Sequence, residues 1–180
     1  LKEAVDASLD HLRSWLPWAE NEPEPLPAKV QLLRSFRGKF DLGQDFVYGI
    51  FNLDESQVLG GTGLHTRLGA KALEIGYWIR ADTINRGLAT EAAAALTRVA
   101  FAVNQVNRVE IHCDPDNKRS AAVPRKLGYH HEATLRQRMP LSDNSYRDLM
   151  IWTLFSDDFP DSPAAAYQVK AFDVIGATLL

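Results

Sequence analysis

The sequence has little of what marks several large classes of protein. It contains one cysteine, Cys113, so no disulfide can form within the chain, and a reducing compartment such as the cytoplasm is the expected location. No apolar run approaches the roughly 20 residues that span a bilayer, and no secretory signal opens the chain. Twenty basic residues against 23 acidic ones give a net charge of −3, which argues against nucleic-acid binding through bulk charge. We therefore expect neither a membrane nor a nucleic acid as a partner.

What the sequence does have is enough apolar residues for a core. Of its 180 residues, 46% are hydrophobic and 24% are charged, as in a single globular domain. We place that domain at residues 1–155. The stretch 157–163 is rich in aspartate and proline and indicates a linker, so residues 156–180 are treated as a C-terminal extension with a short strand at 171–175.

The spacing of apolar residues predicts both helices and strands. Helices are expected at 1–14, 28–41, 88–103 and 118–127, with a proline-rich connector at 21–27. In the second helix the apolar stripe comprises Val30, Leu33, Phe36 and Phe40. Strands are expected at 46–51, 57–65, 72–80, 106–113, 129–138 and 145–155, the last two joined by a turn at 142–144. The fold class is therefore α+β, with at least one parallel crossover.

A strand runs through a tight turn into an alanine-rich helix at residues 77–92. Gly87 and Ala89 remove side-chain bulk where this helix begins, and Arg86 adds a positive charge. The first N–H groups of a helix lack partners within it and favour an anion such as a pyrophosphate. The alternative is that both small residues only let the helix pack closely on the strand. The turn lacks the glycine–lysine–serine ending of a nucleotide P-loop and the spaced glycines of a dinucleotide fold.

A second informative stretch covers residues 114–129. Asn117 is a good helix N-cap, and Ser120 follows in the first helical turn. Taken singly, each has an ordinary structural explanation, capping for Asn117 and a solvated hydroxyl for Ser120. Pro124 removes the helical hydrogen bond to the Ser120 carbonyl and is expected to kink the helix.

Together the two stretches resemble the GNAT acetyltransferase family, in particular its branch of ribosomal-protein N-terminal acetyltransferases. The family motif Arg/Gln-x-x-Gly-x-Gly/Ala falls on residues 84–89, where Gly87 and Ala89 match and Ile84 departs. The branch signature Asn-x-x-Ser, followed by Lys-Leu-Gly-Phe, falls on Asn117, Ser120 and residues 126–129. The resemblance covers roughly residues 1–155, without the family's opening strand.

The resemblance implies a fold and an activity. The expected fold is a central, mostly antiparallel sheet flanked by helices. The expected activity is transfer of an acetyl group from acetyl-CoA, as cosubstrate and without a metal, to a primary amine. That amine is a protein N-terminus or a small molecule, and it attacks the acetyl carbonyl directly in a ternary complex. The alternative is a non-catalytic acyl-CoA-binding or regulatory module on the same fold. The resemblance also implies a homodimer.

The resemblance also assigns residues to roles. Glu74 is the expected catalytic base and Ser120 the donor to the leaving thiolate, since the tyrosine that many family members use falls here on Pro124. The acceptor is expected against Trp15, Trp18, Glu74 and Tyr146. Acetyl-CoA is expected to contact Trp78, Ile79, Arg86, Gly87, Leu88, Ala89, Thr90, Asn117 and Ser120.

Several of these residues keep a second interpretation. Glu74 also fits a strand-surface carboxylate, and the tryptophans fit ordinary core. Cys113 is either a small buried residue or a thiol lining the channel for the CoA sulfur, whereas His112 alternates to the opposite face. His65 is a second base candidate or a structural histidine. His130 and His131 lack a suitably spaced further ligand, so no metal site is expected.

Overall fold

One six-stranded sheet organises the molecule. The computed structural model describes residues 1–141 and 144–180. The strands are β1 (Phe46–Phe51), β2 (Val58–His65), β3 (Ala72–Ile79), β4 (Arg108–Cys113), β5 (His130–Pro140) and β6 (Tyr146–Phe155), in the spatial order β1-β2-β3-β4-β6-β5. Neighbouring strands are antiparallel except for β3 and β4, which are parallel. This confirms the predicted fold class. The predicted turn at 142–144 lies mostly outside the described residues.

Helices cover both faces of the sheet. They are α1 (Lys2–Asp6), α2 (Leu9–Arg13), α3 (Leu26–Asp41), α4 (Leu88–Ala102) and α5 (Lys118–Lys126). The helix predicted at 1–14 is therefore two short helices, because the chain turns at Ala7 and Ser8, whose hydroxyl donates to the Ala4 carbonyl at 2.7 Å. Among the described residues, no helix is long and apolar enough to cross a membrane.

Two apolar clusters hold the layers together. The larger one joins α4 and α5 to the sheet and includes Ile75, Val109, Ile111 and Leu154, each at most 1% exposed. The smaller one lies on the other face, where Val5, Leu12 and Ala19 pack with Leu16 and Trp78. Each fully buried aliphatic side chain contributes roughly 1.5–3 kcal/mol, so both faces of β3 are fixed by packing.

The apolar stripe predicted for α3 is wrong in part. Val30 is 40% exposed and Leu33 is 48% exposed, whereas Lys29 is buried. Lys29 forms ion pairs with Glu22 and with Glu24, the latter at 3.1 Å. A buried ammonium needs such partners. Their position places Lys29 on the inner face of α3, where the apolar spacing predicts its neighbour Val30.

The first part of the C-terminal extension packs on the domain instead of forming a linker. Two 3₁₀ turns, Phe159–Asp161 and Pro163–Ala166, place Ala164 in the core and the Phe159 ring 5.0 Å from that of Phe101. The strand predicted at 171–175 is reduced to an isolated bridge between Phe172 and Thr178. The extension owes its packing to these few apolar residues.

Candidate active site

A cavity of about 840 Å³ opens where the two parallel strands separate. β3 and β4 pair from Ala72 and Arg108 to Glu74 and Glu110, and both strands continue beyond the last pair. Residues from the unpaired ends of both strands line the cavity, which also reaches the start of α4 and of α5. Because the gap lies between strands, side chains from both faces of the sheet reach the same space.

One end of the cavity is suited to an anion. Gly87 has a φ of +87°, a conformation that side chains disfavour, and it turns the chain into α4. The first helical bonds run from the Thr90 and Glu91 N–H groups to the Gly87 carbonyl, at 2.9 and 3.0 Å. The N–H groups of Leu88 and Ala89 have no acceptor within α4, because the helix has no carbonyl four residues before them. They therefore present the positive end of the helix dipole to the cavity.

Basic side chains also line the cavity. Besides Arg67 they are Arg86, Lys118, Arg119 and Lys126. An anion held by backbone N–H groups gains further from such charges, and a diphosphate carries enough charge to use several of them. All nine residues predicted to contact acetyl-CoA line this one cavity, including Ile79 and Thr90.

Hydroxyl and thiol groups meet further along the cavity. Asn117 caps α5, its side-chain oxygen accepting from the Ser120 N–H at 3.0 Å, as the N-cap interpretation predicts. The Tyr77 hydroxyl donates to the Ser120 carbonyl at 3.0 Å and lies 3.2 Å from Ser120 Oγ. Cys113 lines the same wall, and burial raises the pKa of its thiol. The arrangement offers neutral hydrogen-bond donors to a sulfur atom.

Glu74 lines the cavity from the other face of β3. The Arg67 guanidinium, itself 60% exposed, binds both carboxylate oxygens of Glu74, with Nε at 2.7 Å. His112 lies next to it, with Nδ1 3.4 Å from Glu74 and Nε2 2.7 Å from Glu110. Glu74 is therefore a paired carboxylate within an ionic network, more than a lone surface group.

Sequence reasoning missed His112, Arg67 and Tyr77 as members of the site. Its placement of His112 opposite Cys113 is right, but that face also carries Glu74. The signal that could have found it is the parallel register, since Glu74 pairs with Glu110 and His112 follows two residues later on the same face. His11 was missed as well. It lines the cavity, and burial, helped by Arg119, lowers the pKa of its imidazole.

Apolar side chains form the remaining wall, on the side of Glu74. Trp15, Leu16 and Pro17 approach from the N-terminal region, and Met139 and Leu149 approach from β5 and β6. Trp15 is fixed by β6, because the Arg147 guanidinium lies 5.8 Å from its ring centroid and donates to the Ser14 carbonyl at 2.7 Å. This wall leaves room for an acceptor next to Glu74.

The structure leaves two predicted acceptor residues away from this wall. Trp18 packs edge-on against Trp78 at 6.2 Å between centroids and does not line the cavity. Tyr146 is 59% exposed and also lies outside the cavity lining. Trp15 and Glu74 are the predicted acceptor residues that the structure brings together.

The other histidines lie apart from the cavity. His65 Nδ1 lies 2.8 Å from Asp45 Oδ1, and His65 is not part of the lining. His131 packs on the Trp152 ring at 5.0 Å. Within residues 1–141 and 144–180, no group of His, Cys, Asp and Glu side chains could hold a metal ion.

Comparisons with known proteins agree with this architecture. The family model of the acetyltransferase (GNAT) domain matches residues 3–130. The chain is 26% identical over 153 residues to the [Ribosomal protein uS5]-alanine N-acetyltransferase of Escherichia coli K12, covering 82% of this chain and 77% of the relative.

Two solved structures share the fold. Mycobacterium smegmatis RimJ in complex with CoA-disulfide superposes with a TM-score of 0.78 at 23% identity, covering 91% of this chain and 79% of RimJ. RimL, a ribosomal L7/L12 α-N-protein acetyltransferase solved with coenzyme A, gives 0.76 at 20% identity, covering 86% and 85%. At these identities the likeness concerns the fold alone.

The fold and the cavity define an enzyme of the acyl-transferring type. Because the family model spans more than two thirds of it, the chain belongs to the GNAT acetyltransferase family. The E. coli relative described above is named as an N-acetyltransferase.

Proposed function

We propose that the protein transfers an acetyl group from acetyl-CoA to a primary amine, without a covalent acetyl-enzyme. The observation that carries the proposal is one cavity that joins the start of α4 to a carboxylate and a hydroxyl. The N–H groups of Leu88 and Ala89, together with Arg86, bind the diphosphate of CoA. The pantetheine arm then lies between the separated strands, along Trp78 and Ile79, where backbone N–H groups hold it as an added strand.

The chemistry needs three groups at the thioester. Glu74 accepts the proton of the attacking amine, directly or through water, once the exposed Arg67 side chain has moved aside. A backbone N–H near Trp78 polarises the acetyl carbonyl. The amine nitrogen forms the new N–C bond, and the C–S bond breaks with its electron pair passing to sulfur. Ser120 donates a hydrogen bond to the resulting thiolate, and Glu74 releases its proton to solvent.

The acceptor is a protein N-terminus or a small amine. The relative from E. coli is named as an alanine N-acetyltransferase of ribosomal protein uS5, which supports a peptide acceptor. The wall around Trp15 and Leu149 suits a short apolar residue following the amine. The lone cysteine fits a cytoplasmic location. A homodimer stays a prediction.

The proposal is tested by following thiol release from acetyl-CoA with a panel of peptides and small amines. We expect turnover with at least one amine. Glu74→Gln should then lower kcat by about 100-fold while the Kd for CoA changes by less than about threefold, because a general base typically contributes 10²- to 10⁴-fold. Ser120→Ala should lower kcat by about tenfold.

The matched control is Glu132→Gln. Glu132 is also a strand carboxylate, but it accepts a hydrogen bond from Thr153 and lies outside the cavity. Its kcat should equal that of the unmodified protein. CoA binding without turnover of any amine would favour the non-catalytic module, and an unchanged rate in Glu74→Gln would reject Glu74 as the base.

A further inference from the structure

A tyrosine from β3 completes the wall on which Ser120 lies. Tyr77 alternates with Glu74 along the strand and points to the other face, toward α5. Its hydroxyl lies 3.0 Å from the Ser120 carbonyl oxygen and 3.2 Å from Ser120 Oγ. Because the single Tyr77 proton goes to the carbonyl, the Ser120 hydroxyl is the donor in the second contact, and it turns from Tyr77 to the sulfur when a thiolate forms.

Pro124 explains why the Ser120 carbonyl takes a donor from another element. In an α-helix this carbonyl accepts from the N–H four residues later, which is position 124. Proline has no N–H, so the helical donor does not exist. A partly buried carbonyl without a donor is costly, and the Tyr77 hydroxyl supplies the missing bond. The proline in α5 and the tyrosine in β3 therefore act as a pair.

The structure assigns Tyr77 the part of a positioning residue for Ser120. By donating to the carbonyl that Pro124 leaves free, Tyr77 holds the Ser120 hydroxyl at the place where the departing CoA thiolate needs a hydrogen-bond donor. This inference rests on the proposed function.

Tyr77 is a fixed donor and not the source of the proton. Burial raises the pKa of its phenol above the ordinary value, so loss of its proton to a thiolate is unfavourable. The thiolate, stabilised by the Ser120 hydroxyl, takes its proton from solvent as CoA leaves. Both hydroxyl groups stay neutral through the cycle.

The kinetic test removes the Tyr77 hydroxyl and keeps the ring. Tyr77→Phe should lower kcat about tenfold and change the KM for acetyl-CoA less than twofold. The pH values at which kcat rises and falls should stay the same. In a Ser120→Ala background the same change should cost less than twofold, because the residue to be positioned no longer has a hydroxyl. The control is Tyr129→Phe, whose hydroxyl lies 2.6 Å from Thr97 Oγ1 in the core, away from the cavity. Its kcat should be unchanged.

A rescue experiment tests the link to Pro124 without relying on turnover. Tyr77→Phe should lower the Tm by about 2–4 °C, because the Ser120 carbonyl loses its donor. Pro124→Ala restores an N–H at position 124. In that background Tyr77→Phe should lower the Tm by less than about 1 °C, and kcat of the double variant should exceed that of Tyr77→Phe alone.

The outcomes separate the two proposals. A wild-type protein that turns over amines while Tyr77→Phe keeps full kcat would overturn this inference and leave the proposed function intact. A loss that is just as large in the Ser120→Ala background would also overturn it, as would a Tm loss that Pro124→Ala does not reduce. Absence of turnover in the wild type would overturn the proposed function, and the melting experiment would then decide whether Tyr77 supplies the bond that Pro124 removes.

Discussion

At the scale of single residues, five ionisable side chains form a continuous network on the face of the sheet that carries Glu74. In order they are Arg67, Glu74, His112, Glu110 and Arg108. Burial on its own would raise the pKa of Glu110, but the hydrogen bonds from Arg108 and His112 outweigh it and lower that pKa below its usual value. The network therefore stabilises the fold as well as orienting the site.

This lowered pKa makes part of the stability depend on pH. A carboxyl group with a lowered pKa in the folded state contributes fully above its unfolded pKa of about 4.3, and the contribution is lost as the pH falls through the folded value. Glu110→Gln should therefore lower the free energy of unfolding by about 1 kcal/mol at pH 7 and by clearly less at pH 3.5. Urea unfolding at both pH values measures the difference. Equal losses at the two pH values would contradict the assignment.

Residue chemistry was only partly predictable from the sequence. Glu74 and Ser120 were predicted from the resemblance to the family, and the structure places both at one cavity. The contact between Tyr77 and Ser120 joins residues 43 positions apart, and no local pattern encodes it. Arg67 lies in a turn, where periodicity says nothing about the direction of a side chain.

At the scale of elements, the start of α4 forms the part of the candidate site that is suited to an anion. The turn needs a residue with positive φ at position 87, and the helix needs small residues after it. Both requirements are visible in the sequence, so this element was predicted well. Position 87 also has free space, since an added Cβ would meet only the Glu91 carboxylate at 3.8 Å. The requirement for glycine there is therefore conformational.

Two glycine substitutions should have opposite effects on stability. Gly87→Ala should lower the free energy of unfolding by about 1 kcal/mol, because alanine disfavours a φ of +87°. Gly38→Ala should raise it by about 0.5–1 kcal/mol, because Gly38 lies within α3 and an added Cβ there meets nothing within 4 Å.

Thermal or urea unfolding measures both substitutions. Gly87→Ala should also weaken CoA binding, whereas Gly38→Ala should not change it. A gain in stability for Gly87→Ala, like that expected for Gly38→Ala, would show that the backbone at position 87 is not under this constraint.

The elements that sequence patterns predicted poorly are those fixed by tertiary contacts. The break between α1 and α2 depends on the Ser8 hydroxyl, which donates a hydrogen bond to the Ala4 carbonyl. The orientation of α3 depends on Lys29 and its ion pairs with Glu22 and Glu24, residues from outside the helix. In both places a polar group outweighs the apolar spacing on which the prediction rests.

At the scale of the whole molecule, the C-terminal extension differs from the domain in its sequence pattern, but its first residues pack against the domain. Pro163 lies against Gly128 at the end of α5, and the Ala164 N–H donates to the Leu127 carbonyl at 3.3 Å. The extension thus supports the helix that presents Ser120. The later residues are different, since Val174 and Ile175 are 77% and 85% exposed.

Two truncations should separate these parts of the extension. Removing 168–180 should change the Tm by less than about 2 °C. Removing 156–180 should lower it by more than about 5 °C, because Phe159 and Ala164 then leave the core, and burial of each contributes on the order of 1–3 kcal/mol. Differential scanning calorimetry measures both. A full-length Tm in the larger truncation would contradict the packing described for the extension.

The proposed function depends on binding of the CoA diphosphate by the first N–H groups of α4. Isothermal titration calorimetry with CoA and with pantetheine, which lacks the diphosphate and the nucleotide, measures the contribution of that contact. We expect one CoA bound per chain and an affinity for pantetheine at least about 100-fold weaker, a difference of about 2.7 kcal/mol. Equal affinities, or no binding of CoA, would contradict it.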